Sequence, residues 1–230
     1  MADLELRAGD AVFNIDTVGG GMRALRVRDW QLLDGYGTGQ RHSGRRGHIL
    51  APWPSRILDG RYEWAGTRYE LPITDVRHRS ATHGLVDSVD WTVDHHEQQA
   101  AELSVRVPRL VGYPFDVTVR VRYRLEIDSL TVFLSAQNDG AEAAPFGVGM
   151  HPYFRCGAGA DHTELSLPVR SRLILDDDLV PTGAFEEFHG HVGLIGERVL
   201  DAALRVDPVE DGDPGEAPPP RSPVPRDPCS

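Results

Sequence analysis

Two histidines stand where the local sequence suits proton transfer. His83 lies in Thr82-His83-Gly84, and His151 in Gly147-Val148-Gly149-Met150-His151-Pro152-Tyr153-Phe154-Arg155. An imidazole with its ordinary pKa of about 6.5 can give or take a proton near neutral pH. Pro152 drives His151 out of the α region into an extended backbone, and Tyr153 and Phe154 set flat apolar surfaces beside it. Gly147 and Gly149 permit close approach of either a ligand or a neighbouring strand. His83, taken alone, reads more readily as a structural histidine than as a functional one.

A cation stands upstream, in Pro52-Trp53-Pro54-Ser55-Arg56-Ile57-Leu58-Asp59-Gly60-Arg61-Tyr62. The two prolines predict extended backbone ahead of Arg56, and Asp59-Gly60 predicts a turn. The Arg56 guanidinium could fork hydrogen bonds to ligand hydroxyls or close a loop salt bridge. His95-His96 and His189-Gly190-His191 invite a metal reading, but no carboxylate or thiol falls at a ligand spacing, so no metal is expected. Asp176-Asp177-Asp178 is followed by Leu-Val-Pro-Thr-Gly, which lacks the regular oxygen ligands of a calcium loop and reads as a solvated turn.

The elements that must position these residues are strands. Val117, Val119, Val121, Tyr123 and Leu125 alternate with Thr118, Arg120, Arg122 and Arg124, the period of a strand buried on one face. The Arg face reads as a solvated sheet face or as an anion groove. Asp128-Ser129 predicts a turn into Leu130–Leu134, so 117–134 is expected to form a hairpin. Short apolar runs at Ala11–Ile15, Ala24–Val27, Trp91–Val93, Leu103–Val107 and Leu165–Val169 extend the pattern, and no amphipathic helix is evident. The expected class is all-β, a mainly antiparallel β-sandwich. Gly35–Pro54, rich in Gly and basic residues, reads as a long loop over one end of the sheets.

Composition bounds the partners. The 230 residues suffice for one domain with a sizeable core, and the formal charge of −11 argues against a nucleic acid partner. All 24 basic residues are Arg, which excludes Schiff-base and pyridoxal-phosphate chemistry anchored on lysine. The opening Met1-Ala2-Asp3-Leu4-Glu5 has no signal-peptide pattern, and no apolar run reaches membrane-spanning length, so a soluble cytoplasmic chain without a membrane partner is expected. Cys156 and Cys229 form neither a disulfide framework nor a thiolate cluster. From Asp207 to Ser230 there are eight of the 17 prolines, few apolar residues and an excess of acid. Such a segment cannot offset its ordering entropy, so 1–206 is read as the domain and 207–230 as a disordered tail.

Five blocks in order resemble the aldose 1-epimerase (galactose mutarotase) family. They are Gly19-Gly20-Gly21-Met22-Arg23-Ala24-Leu25, Ser55-Arg56-Ile57 to Tyr62, Thr82-His83-Gly84, His151-Pro152-Tyr153-Phe154 and Leu179-Val180-Pro181-Thr182-Gly183. The resemblance runs from about Val12 to Leu204 and implies a galactose mutarotase-like β-sandwich, C-terminally incomplete. It implies interconversion of the α and β anomers of a free hexose, an aldose sugar, without a cofactor. His151 would be the general acid, His83 its partner, and Arg56, Ser55, Tyr153 and Asp201 would bind the sugar. Ser55 stands where the family has asparagine and reaches less far. The family's base is a glutamate in a late strand beyond the resemblance, and neither Glu210 nor Glu216 has strand context. The change near Val206 reads as a truncated or frame-shifted end. Two alternatives stay open: a non-catalytic sugar-binding or decayed paralogue, and a hexose-phosphate mutarotase using Arg41, Arg45 and Arg46 for the phosphate. Anomer preference and oligomeric state are left open.

Overall fold

Strict alternation builds the core. The computed structural model describes residues 3–37, 40, 43–157, 159–166, 169–177, 179–188, 192–196 and 204–206. Strands β1 (Asp3–Ala8), β2 (Ala11–Asp16), β3 (Gly21–Val27) and β4 (Trp30–Gln31) form one antiparallel sheet in chain order. After β5 (Ile49–Leu50) and β6 (Arg56–Leu58) comes a hairpin, β7 (Arg61–Trp64) and β8 (Thr67–Glu70), then β9 (Ser80–Thr82), which pairs with β6. Strands β10 (Thr92–His96), β11 (Ala100–Arg106), β12 (Val117–Leu125) and β13 (Leu130–Asn138) form the second four-stranded sheet. Every pairing within it is antiparallel.

The two sheets bury one face each against the other. On β12, Val117, Val119, Val121, Tyr123 and Leu125 are all buried, and they share a core cluster with Leu4, Leu6, Phe13 and Ile15 of β1 and β2. Phe13 and Tyr123 meet with ring centroids 5.2 Å apart, and the Tyr123 hydroxyl donates to the Gly20 carbonyl at 2.7 Å. Burial of each such large side chain is worth about 1.5–3 kcal/mol. The sandwich follows from this: each sheet has one apolar face to hide, and the other sheet hides it. On the opposite face of β12, Arg122 lies directly across from Glu102 of β11 and pairs with it at 2.8 Å. That face is a solvated, cross-strand-paired surface rather than an anion groove.

Beyond the sandwich, β14 (Gly149–Met150) pairs with β5. Strands β15 (Glu164–Ser166), β16 (Val169–Leu175), β17 (Pro181–Glu187), β18 (Val192–Leu194) and β19 (Leu204–Val206) follow, with β15 on β18 and β16 between β17 and β19. Among the described residues there is no α-helix, one 3-10 turn at Ala160–His162, and no helix long and apolar enough to cross a membrane.

Two expectations need correction. The segment 35–54 is not loop throughout, because β5 lies in it and its pairing with β14 carries His151. The extended backbone expected ahead of Arg56 is interrupted at Ser55, which has φ +64; in the run Leu165–Val169, residues 167–168 lie outside the described ones. The tail 207–230 lies outside the described residues.

Candidate active site

The two histidines arrive from different strands and meet. His151 follows β14, where its N–H donates to the His48 carbonyl at 3.1 Å and its own carbonyl accepts the Gly47 N–H at 2.8 Å. These two bonds tie the His151 main chain to residues 47 and 48. His83 follows β9 and takes φ +64, with Gly84 at φ +83. A side chain at Gly84 would put its Cβ 1.9 Å from the Ala51 carbonyl oxygen, so only glycine lets the chain pass here. The rings of His83 and His151 lie 5.5 Å apart at 84°, edge to face.

Ser55 holds His83 through its main chain. Its N–H donates to His83 Nδ1 at 3.2 Å, and its carbonyl accepts the His83 N–H at 2.9 Å. Ser55 itself has φ +64, so the chain ahead of Arg56 turns left-handed there rather than staying extended. An Nδ1 that accepts a hydrogen bond carries no proton, which leaves the neutral ring its proton on Nε2. The electrostatics agree. Burial first, then the charges of Arg45, His151 and Arg56, push the His83 pKa down from 6.5 to about 4, against a smaller upward pull from Asp87.

Arg56 begins β6 directly across from Thr82, one residue before His83. Its Nε reaches Asp75 Oδ2 at 3.4 Å, and Asp75 also accepts from His78 Nδ1 at 2.8 Å. Those contacts, the His78 side-chain hydrogen bond first, hold the Asp75 carboxyl below its usual range. The loop salt bridge offered by the sequence is therefore present, although long. Arg45 and Asp87 form a tighter pair, 2.6 Å apart.

Tyr153 stacks on His151, with centroids 5.3 Å apart and planes at 28°. The Arg46 guanidinium covers the Tyr153 ring at 4.8 Å and pairs with Asp34 at 2.9 Å. Tyr153 thus braces the His151 imidazole. Gly147 and Gly149 make room for the Pro54 ring: a Cβ there would lie 3.2 Å and 3.3 Å from Pro54 side-chain atoms.

Arg56, Ser55, His83, His151 and Tyr153 are brought together; Asp201 lies outside the described residues, as do Arg41, His189 and His191. The cavity between Trp30, Leu32, Leu125 and Ile127, about 780 Å³, contains none of the five. Among the described residues no group of three or more His, Cys, Asp or Glu is placed to hold a metal. Sequence reasoning missed Asp75, Asp87 and His48, which meet Arg56, Arg45 and the Asp87 carbonyl across 19, 42 and 39 positions, and His78, which joins them only through Asp75.

Paired imidazoles beside a guanidinium can exchange protons and donate hydrogen bonds. The chain belongs to the aldose 1-epimerase family, whose model matches residues 3–201. It is 34% identical over 181 residues to the uncharacterized protein YihR of Escherichia coli K12, covering 78% of this chain and 59% of that protein. It is 36% identical over 74 residues to the aldose 1-epimerase of Streptococcus thermophilus, covering 31% and 21% respectively. The fold matches the crystal structure of a GalM/aldose epimerase homologue from C. elegans at a TM-score of 0.73 and 18% identity, over 81% of this chain and 61% of that one. The chain spans about three-fifths of the length of YihR and of the C. elegans protein.

Proposed function

We propose that this chain binds a free aldose between Arg56, His83, His151 and Asp201, and that His151 acts as the general acid of mutarotation. The observation carrying this reading is the edge-to-face meeting of His83 and His151, with His83 held neutral beside Arg56. Mutarotation requires one group to protonate the ring oxygen while another takes the proton of the anomeric hydroxyl. The ring opens, C1–C2 rotates, and closure on the other face reverses both transfers. His151 supplies the proton to the ring oxygen, and, with no base assigned among the described residues, a solvent water takes the proton of the anomeric hydroxyl. His83, neutral with its proton on Nε2, is the partner that orients a hydroxyl by donation, and Arg56 fixes neighbouring hydroxyls. Ser55 acts by holding His83. No cofactor enters the reaction. We take residues 1–206 as the catalytic unit, 207–230 as a tail, and the cytoplasm as its compartment.

A second reading, sugar binding without turnover, is favoured by one observation: Asp75 and Asp87, the carboxylates that reach this cluster, are already engaged by Arg56 with His78 and by Arg45. Polarimetry of α-glucose and α-galactose with His151→Ala as control tests the first reading. A rate no faster than uncatalysed mutarotation would sink it, and calorimetric sugar binding without turnover would establish the second.

A further inference from the structure

Behind the site lies a chain of buried and half-buried polar groups that the proposed chemistry does not use. His48 is fully buried. Its Nδ1 lies 2.6 Å from the Asp87 carbonyl oxygen and its Nε2 lies 2.9 Å from the Tyr36 hydroxyl. The Tyr36 hydroxyl is in turn 2.9 Å from Oδ2 of Asp16, itself buried. Glycine at position 19 is what admits the ring here, since a Cβ on it would lie 2.2 Å from His48 Nδ1.

These three contacts can be counted in protons. Each needs one hydrogen, and the Asp87 carbonyl supplies none. A neutral His48 brings one proton, Tyr36 brings one, and an ionised Asp16 brings none: two protons for three bonds. Burial and the hydrogen bond to Asp16 push the Tyr36 pKa upward, so Tyr36 keeps its proton and donates it to Asp16. The third proton belongs either to His48 or to the Asp16 carboxyl, and imidazole is ordinarily the stronger base, about 6.5 against about 3.9, which favours His48.

We propose that His48 is a buried imidazolium, bridged to the Asp16 carboxylate by Tyr36, and that it is a positioning residue for the His83–His151 pair. Its carbonyl receives the His151 N–H, and its Nδ1–H pins the main chain of Asp87, whose carboxylate clamps Arg45 at 2.6 Å near His83. One ring therefore holds both histidines from behind. The charges facing it balance: Asp16 comes from β2, Arg23 of β3 reaches the Tyr36 carbonyl at 3.3 Å while paired with Asp3 of β1 at 3.1 Å, and Arg45 is paired with Asp87. The catalytic consequence rests on the mutarotase reading; the charge on His48 does not.

The test is a long-range proton–nitrogen correlation spectrum of the 15N-labelled full chain at pH 8. One histidine is expected with both ring nitrogens protonated, and Tyr36→Phe converts that ring to the neutral form and weakens the nuclear Overhauser contact between the His83 and His151 rings. In an active protein the same variant lowers kcat/KM by about 10- to 100-fold, as a loss of alignment does. A wild-type spectrum in which every histidine has one unprotonated ring nitrogen overturns the proposal without any variant. An unchanged contact between His83 and His151 in Tyr36→Phe overturns the positioning role. Absence of mutarotation in the wild type would remove the mutarotase reading and leave both spectroscopic outcomes decisive.

Discussion

His83 and His151, 68 positions apart in the chain, meet edge to face with ring centroids 5.5 Å apart. Neither ring is placed by its own strand alone: Ser55 holds one, and the stack with Tyr153 holds the other.

His151→Ala is expected to lower any mutarotation rate by about 10²- to 10⁴-fold, the range for loss of a positioned general acid. The residue is half-buried at the end of a two-residue strand, so the melting temperature should move little. Polarimetry with thermal melting separates the two effects, and an unchanged rate would remove His151 from the mechanism.

The pH dependence of stability has a definite sign. His83 binds its proton at about 4 in the folded protein against 6.5 when unperturbed. Between those values the unfolded chain holds more protons, so the stability associated with a neutral His83 is complete above about pH 6.5 and is lost as pH falls toward 4. Melting temperatures across pH 4–7 should fall more steeply in the wild type than in His83→Gln. Parallel curves would show that His83 titrates normally.

Gly84→Ala should destabilise by about 2–4 kcal/mol, because it combines a left-handed φ with a backbone collision. Urea denaturation measures this directly. Gly66→Ala, also at positive φ but with nothing within 4 Å of its Cβ, isolates the conformational part and should cost less.

Along β11 and β12, Leu103→Ala should cost about 2–5 kcal/mol while Arg120→Ala stays within about 0.5 kcal/mol. Leu103 is wholly buried, whereas Arg120 lies on the outer face of its strand. Similar urea midpoints for the two variants would contradict the assignment of faces.

Glucose 6-phosphate should compete for the site no better than glucose. Arg45 is committed to Asp87, and Arg46 to Asp34 and the Tyr153 ring, so neither cation is waiting for a phosphate. A tenfold tighter inhibition by the phosphate would revive the hexose-phosphate reading.

The sequence by itself determined the sandwich and the order of its parts. A period of two from Val117 to Leu125 leaves one face apolar whatever the rest of the chain does, and burying it requires a second sheet. Pro152 likewise fixed the backbone at His151, and the blocks around Arg56, His83 and His151 were readable because each is local. Only the tertiary structure decided what those residues touch. That Arg56 meets Asp75, that Asp87 clamps Arg45, and that His48 sits behind both histidines depend on closures across 19 to 42 positions. No local pattern encodes such contacts: His48 lies in a stretch whose composition reads as loop, and its burial arises only when β5 pairs with β14. The charge state of His83 belongs to the same class, because its burial and the approach of Arg45, His151 and Arg56 exist only after the strands have met.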